Sequence, residues 1–123
     1  MKSLNRYKSN QVLGKSGENQ AKNYLISNGY EILHQNWRKQ YLEVDLIVKK
    51  KNTIIFVEVK TRKSEMGNLD EVISRQKENA LVRAMNVYMS EIKEDMYCQI
   101  DLVLIKKMTH SFEIEHLQNA IGM

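Results

Sequence analysis

Two apolar runs in the middle of the chain, Tyr41-Leu-Glu-Val-Asp-Leu-Ile-Val48 and Ile54-Ile-Phe-Val-Glu-Val-Lys60, stand on either side of the polar dipeptide Lys51-Asn52. β-Branched and aromatic residues dominate both, and a short polar tip between two such runs marks an antiparallel hairpin. A turn at Lys51-Asn52 sets the register: Lys50 faces Thr53, Ile47 faces Phe56, and Asp45 faces Glu58. Two carboxylates therefore meet across strands that are otherwise apolar enough to be buried.

Side chains directly opposite one another in an antiparallel pair have Cβ atoms about 5 Å apart, and like charges there repel unless a proton or a cation lies between them. A divalent cation resolves that conflict best. Oxygen ligands without His or Cys suit Mg²⁺ or Mn²⁺, which keep several waters and are completed by substrate phosphate oxygens; zinc is a poor match. Lys60 follows Glu58 by two residues and so projects from the same face. There its ammonium group can orient a water or stabilise an anionic phosphorus centre. The same register sets Glu43 opposite Lys60, so an ordinary cross-strand salt bridge is the competing reading of that lysine.

The flanking sequence supplies the rest of a domain. From Leu13 to Asn28, Ala21, Tyr24 and Leu25 fall at helical spacing, and Gly29 suits the left-handed position that ends a helix. Tyr30 to Trp37 reads as a strand, followed by the hairpin strands Leu42 to Lys50 and Thr53 to Lys60. After a polar loop from Lys63 to Asn68, a helix from Ser74 to Ile92 presents Ala80, Leu81, Ala84, Met85, Tyr88 and Ile92 on one face. Met96 to Lys106 and Phe112 to Leu117 complete the order α-β-β-β-α-β-β, an α/β fold with a mixed β-sheet flanked by helices. The expected organisation is a basic N-terminal tail over 1–12, a single domain over 13–119 and a C-terminal tail over 120–123.

Composition narrows the function classes. A chain of 123 residues holds one core, and 42% hydrophobic residues with 5 Gly and no Pro exclude disorder and low-complexity linkers. The net charge of +4 leans toward a polyanionic partner. Cys98 is the single cysteine, which excludes an intramolecular disulfide and a Cys-based zinc site and points to the cytoplasm. It shares a strand face with Met96, Ile100 and Leu102, so packing explains it. No apolar signal region and no stretch of about 18 apolar residues is present, so neither export nor a membrane span is expected.

Two charges point inward from the helices. Glu18 shares a face with Ala21 and Leu25, and Lys77 with Leu81, Ala84 and Tyr88. A charge on an inward stripe is costly unless paired, which predicts Glu18 beside the acidic pair and Lys77 beside a phosphate; snorkelling at the stripe's edge is the alternative. Lys49, Lys50 and Lys51 at the hairpin tip, with Arg38, Arg62 and Lys63, are the candidate nucleic-acid contacts, against a merely solvated lysine-rich tip. Tyr7, Trp37 and Tyr41 are expected to cap the core rather than stack on bases, and His116 to be structural.

At Gly14-Lys-Ser-Gly-Glu18 with Ala21 and Tyr24-Leu25, Asn36-Trp-Arg38, Glu43-Val-Asp-Leu-Ile47, Phe56-Val-Glu-Val-Lys-Thr-Arg62 and Ile114-Glu-His-Leu-Gln-Asn-Ala120, the chain resembles the YraN family of small uncharacterised bacterial proteins. That family has a restriction-endonuclease-like core similar to archaeal Holliday junction resolvases. The resemblance implies that Asp45 and Glu58 are metal ligands, Lys60 activates water, Glu18 is an auxiliary carboxylate, and Lys77 or Gln76 takes the second-helix position. The Val59 carbonyl is the expected further ligand. Leu42 departs from the glycine usual before the Glu-x-Asp segment, which narrows the approach to the site.

The expected function is Mg²⁺- or Mn²⁺-dependent hydrolysis of phosphodiester bonds in DNA, branched or other structured DNA included, with 5′-phosphate products. The alternative is a catalytically inactive nuclease fold that binds nucleic acid or a protein partner, because a fold supports a site more firmly than an activity. A homodimer without enzymatic role is a third reading.

Overall fold

The computed structural model describes residues 4–9, 17–63 and 73–121; of residues 4–9 and of Lys63 only the backbone is described. Six strands form one mixed sheet: β1 (Leu4–Ser9), β2 (Glu31–Lys39), β3 (Leu42–Lys50), β4 (Thr53–Lys63), β5 (Tyr97–Lys107) and β6 (Phe112–Leu117). They lie side by side in the order β1-β6-β5-β4-β3-β2. Only β4 and β5 are parallel, and the crossover that such a pair requires is carried by helix α2 (Arg75–Ser90). Helix α1 (Gly17–Ser27) covers the other face.

From Gly17 onward the element order is the expected α-β-β-β-α-β-β. Leu4–Ser9, within the segment expected as a basic tail, instead runs antiparallel to β6 from Leu4↔Leu117 to Ser9↔Phe112. Its sequence, LNRYKS, carries no β-branched residue, and an edge strand held by main-chain bonds leaves little periodic signal. At the other end the expected tail is partly packed: the Ala120 N–H donates to Ile100 O at 2.8 Å, and Ile121 is buried. Residues 1–3, 10–16, 64–72 and 122–123 lie outside the described residues, and with them the start of the first predicted helix and nearly all of the predicted polar loop.

The two faces of the sheet have separate cores. On the α1 side, Ala21, Tyr24 and Leu25 pack on Leu46, Val48, Ile55, Val57, Val103 and Ile105. On the α2 side, Leu81, Ala84, Met85 and Tyr88 pack on Leu42, Val44, Ile47, Ile54, Phe56 and Ile100. Trp37 joins the second core with its ring edge-on to Tyr88, whereas Tyr41 is 72% exposed and its hydroxyl accepts from Arg83. The expectation that Tyr41 caps the core is thus overturned: it sits in the β2–β3 turn, beyond the end of the apolar layer. The Tyr7 side chain is outside the described residues.

Local signals position the helices. Gly29 adopts φ +89°, Tyr30 N–H bonds back to Leu25 O and Gly29 N–H to Ile26 O, a Schellman ending for α1. Ser74 caps α2, its hydroxyl accepting from the Lys77 N–H at 3.1 Å. Lys77 thereby stands in the first turn, at the end of α2 that overlies the hairpin's acidic pair. Among the described residues no helix is long and apolar enough to cross a membrane.

Candidate metal centre

The β3–β4 hairpin has the register read from its sequence, with Lys50↔Thr53, Ile47↔Phe56 and Leu46↔Val57. The next rung would pair Asp45 with Glu58, and there the ladder stops. The Asp45 side chain takes over instead, its Oδ2 accepting from the Val59 N–H at 2.8 Å. Side-chain alternation slips at the same residue: Leu42 and Val44 face α2, whereas Leu46 and Val48 face α1. Asp45 occupies the phase slip, where a side chain can reach both a group on α1 and one beneath α2.

Glu58 lies on the α2 face and is 3% exposed. Its Oε2 is 3.4 Å from Lys60 Nζ and 3.8 Å from Lys77 Nζ. Its Oε1 is buried with no hydrogen-bond partner. Burial, then the charge and hydrogen-bonding proximity of Asp45, push the Glu58 carboxyl up to about 7, against the pull of the two lysines. Glu18 completes the cluster from the first turn of α1. Burial and then Asp45 raise its carboxyl above the ordinary value, a hydrogen bond with the Asn36 side chain opposes them, and Glu43 adds a smaller push upward.

Five residues expected at the site, Glu18, Asp45, Glu58, Lys60 and Lys77, are therefore brought together. The competing salt bridge does not form: Glu43 pairs with Arg38 at 3.1 Å, and Lys60 turns to Glu58. Gln76 is exposed. The hairpin lysines stand apart, since Lys50 pairs with Thr53, five residues from Glu58 along β4, or roughly 17 Å. Lys50 is also engaged, its Nζ donating to Asn28 O at 2.9 Å and lying 4.6 Å from the Tyr30 ring centre. Lys49 is half-buried, Lys51 is exposed at the tip, and Arg62, half-buried on the strand of Lys60, donates to Thr61 O. The Lys63 side chain lies outside the described residues. A cavity of about 230 Å³ lined in part by Tyr30, Lys50, Lys51 and Gln99 sits at the hairpin-tip end and includes none of the five clustered residues.

Among the described residues no three His, Cys, Asp or Glu side chains gather closely enough to cage a metal by themselves. The pair Asp45 and Glu58 nevertheless fits a hard cation. A buried carboxylate oxygen lacks a donor, two like charges adjoin, and both are oxygen ligands that leave positions open for water and substrate.

A family model described as uncharacterised protein family UPF0102 matches residues 17–105. The chain belongs to this family. UPF0102 proteins of Christiangramia forsetii and Bacteroides thetaiotaomicron are 42% and 37% identical to it, each over 88% of this chain and 92% and 90% of their own lengths. The UPF0102 match takes in all five clustered residues and ends before His116.

Two groupings were not foreseen. In the first, Asn36 takes the left-handed conformation, φ +51°, between the ladder pairs Gln35↔Leu46 and Trp37↔Val44, level with Asp45. The second is buried between α1 and the β5–β6 pair: His116 Nε2 lies 2.7 Å from Asp101 Oδ2 and Nδ1 lies 2.9 Å from the Tyr24 hydroxyl. Asp101 Oδ1 accepts from Gln99 Nε2 and the Asn119 N–H, both at 2.9 Å. His116 is fully buried in this chain of hydrogen bonds, and its sequence signal is a lone Asp inside the apolar run from Ile100 to Ile105. Cys98 also packs as expected, and burial raises its thiol pKa, which disfavours the nucleophilic thiolate.

Proposed function

We propose that this chain is a metal-dependent nuclease that hydrolyses phosphodiester bonds in DNA, structured or branched DNA among its substrates. The observation that carries the reading is Glu58: a buried carboxylate with one oxygen lacking a donor, pressed against Asp45 and flanked by Lys60 and Lys77. Such an arrangement is costly as a structural feature and fits the binding of a cation and a phosphate.

In this reading Asp45 and Glu58, with the Val59 carbonyl, hold Mg²⁺ or Mn²⁺. The cation supplies Lewis-acid stabilisation of the phosphoryl oxygens and a more acidic bound water. The Val59 N–H fixes the rotamer of Asp45, so that its second oxygen is presented in one direction. Lys60, drawn to Glu58 in the free protein, turns to orient the attacking water, and Lys77, carried by the capped first turn of α2, meets a phosphate oxygen. Both lysines are about one-third exposed, so neither is sealed from substrate. Arg62 and Arg38 extend phosphate contacts from the neighbouring strands.

The test is incubation of the purified protein with branched, single-stranded and duplex DNA in Mg²⁺ or Mn²⁺. Cleavage lost in Asp45→Ala and Lys60→Ala is the expected result; cleavage that persists unchanged in Asp45→Ala refutes the reading. The observation favouring an inactive nucleic-acid-binding scaffold is that Glu58 already has two lysine partners. In that case the protein binds DNA but no Mn²⁺ by calorimetry, and Glu58→Ala changes only stability.

A further inference from the structure

Strands β4 and β5 run parallel and end together on basic residues, the register setting Arg62 level with Lys106. Side chains alternate between the two faces along each strand. On β4, Ile54 and Phe56 belong to the α2-side core, Val57 belongs to the α1-side core, and Thr61 lies beneath Gly17 of α1, so Arg62 shares the α2 face with Glu58 and Lys60. On β5, Val103 and Ile105 belong to the α1-side core, so Lys106 is on the α2 face as well. Its ammonium is ion-paired with Glu115 of β6, a buried carboxylate. Neighbouring strands are about 4.8 Å apart, which holds two cations side by side on the face that carries the acidic pair.

Cations at that spacing repel, and an anion between them removes the cost. The two head groups are drawn aside in the free protein, Lys106 to Glu115 and Arg62 to Thr61 O at 3.2 Å. Arg62 follows Lys60 by two residues, about 7 Å, so the pair stands one step beyond the lysine assigned to the attacking water. Glu65, Asp70 and Glu71, from the segment after β4, lie outside the described residues, and an internal carboxylate is the competing occupant.

We infer that Arg62 and Lys106 together hold a second phosphate of the substrate strand, next to the one at the cation, an assignment that rests on the nuclease reading of the Asp45–Glu58 pair. Glu115 keeps the Lys106 ammonium at the sheet surface, which lowers the cost of ordering a long side chain on binding. The substrate class that follows is a polynucleotide cut within a strand, because a lone phosphodiester fills the cation position and leaves this pair empty. A phosphate contact reads no base, so the pair serves any sequence.

The test measures binding of a fluorescein-labelled four-way junction and of a linear duplex in EDTA, where neither cation nor cleavage enters. Lys106→Gln/Glu115→Gln removes the cation together with the acid that holds it, so net charge is unchanged. This paired variant should bind about tenfold more weakly, and the slope of log affinity against log salt should fall by about one. Arg62→Gln should lose a similar amount, and the triple variant should bind no more weakly than the weaker of the two, because the cations share one phosphate. Lys106→Met, which keeps the aliphatic stem, should repeat the loss if the paired variant does not fold. Unchanged affinity in these variants, the outcome for a structural ion pair or an internal carboxylate, overturns the inference, as do losses that add in full. Wild-type protein that binds DNA through the pair but cleaves nothing in Mg²⁺ defeats the nuclease reading and upholds the phosphate site; wild-type protein that binds no DNA overturns the site.

Discussion

Asp45 Oδ2 accepts from the Val59 N–H at 2.8 Å, so a side chain fills the place that a main-chain carbonyl would occupy in a continuous ladder. The β3–β4 pairing stops at Leu46↔Val57, and the bond fixes the direction of the carboxylate that the proposed cation site uses. In that reading one residue serves both the backbone and the chemistry.

Substitutions at Asp45 should separate these two roles. Asp45→Asn keeps an acceptor for Val59 and removes the charge; Asp45→Ala leaves the N–H unpaired, which costs about 1–3 kcal/mol if water cannot replace the bond. Both variants should lose Mn²⁺ binding and cleavage, and only Asp45→Ala should lose substantial stability in urea unfolding. Equal midpoints for the two would show that the bond contributes nothing to the fold.

Glu58 gives the ion-free protein a pH dependence of defined sign. Its pKa, about 7 when folded, exceeds the ordinary carboxylate value of 4.5, so the folded state binds the proton more tightly. Its stabilising contribution is fully present below that ordinary value and is lost as pH rises through about 7. Glu58→Gln stays neutral throughout. In chelator, the thermal midpoint of Glu58→Gln relative to wild type should climb between pH 5 and pH 8, and Mn²⁺ at pH 8 should raise the wild-type midpoint alone. A difference flat with pH would remove the buried, proton-sharing carboxylate from the account.

The acidic pair and its lysine were legible because they depend only on strand alternation and one two-residue turn, both local. Lys77 and Glu18 were legible as charges on otherwise apolar helical faces. The left-handed conformation of Asn36 was not, because it belongs to a break in the pairing with β3, which a single strand does not encode. The Asp45 phase slip was hidden for a related reason: Leu42, Val44, Leu46 and Val48 are all apolar, so exchanging the face they occupy leaves the hydrophobic pattern unchanged. Leu4–Ser9 escaped notice as a strand because pairing at a sheet edge asks little of the side chains.

A side chain at Gly17 should force Thr61 or α1 to shift. A Cβ built there falls far inside contact distance of Thr61 Oγ1, while Ile105 Cγ1 is 3.6 Å away, so α1 meets the sheet through the missing methyl group. Thr61 directly follows Lys60, and this close approach sets Glu18 at the height of the site. Gly17→Ala should cost about 1–3 kcal/mol through overpacking and weaken Mn²⁺ binding as Glu18 is displaced. Removing the obstructing hydroxyl in Gly17→Ala/Thr61→Ala should recover part of both. Additive losses in the double variant would mean that the helix is not seated by this contact.

The Tyr24–His116–Asp101 chain calls for the opposite outcome: stability without chemistry. A carboxylate at Asp101 takes the Nε2–H of His116, and in the neutral imidazole Nδ1 is then the acceptor for the Tyr24 hydroxyl. All three are buried, on the α1 side of the sheet, while Glu58 and its lysines lie on the α2 side. Tyr24→Phe leaves Nδ1 without that donor and should cost about 1–3 kcal/mol in urea unfolding, with Mn²⁺ affinity unchanged. Asp101→Ala removes the acceptor shared by three groups, on His116, Gln99 and Asn119, and should cost more. A Tyr24→Phe protein of undiminished stability but altered cation affinity would reverse the assignment and draw His116 into the site.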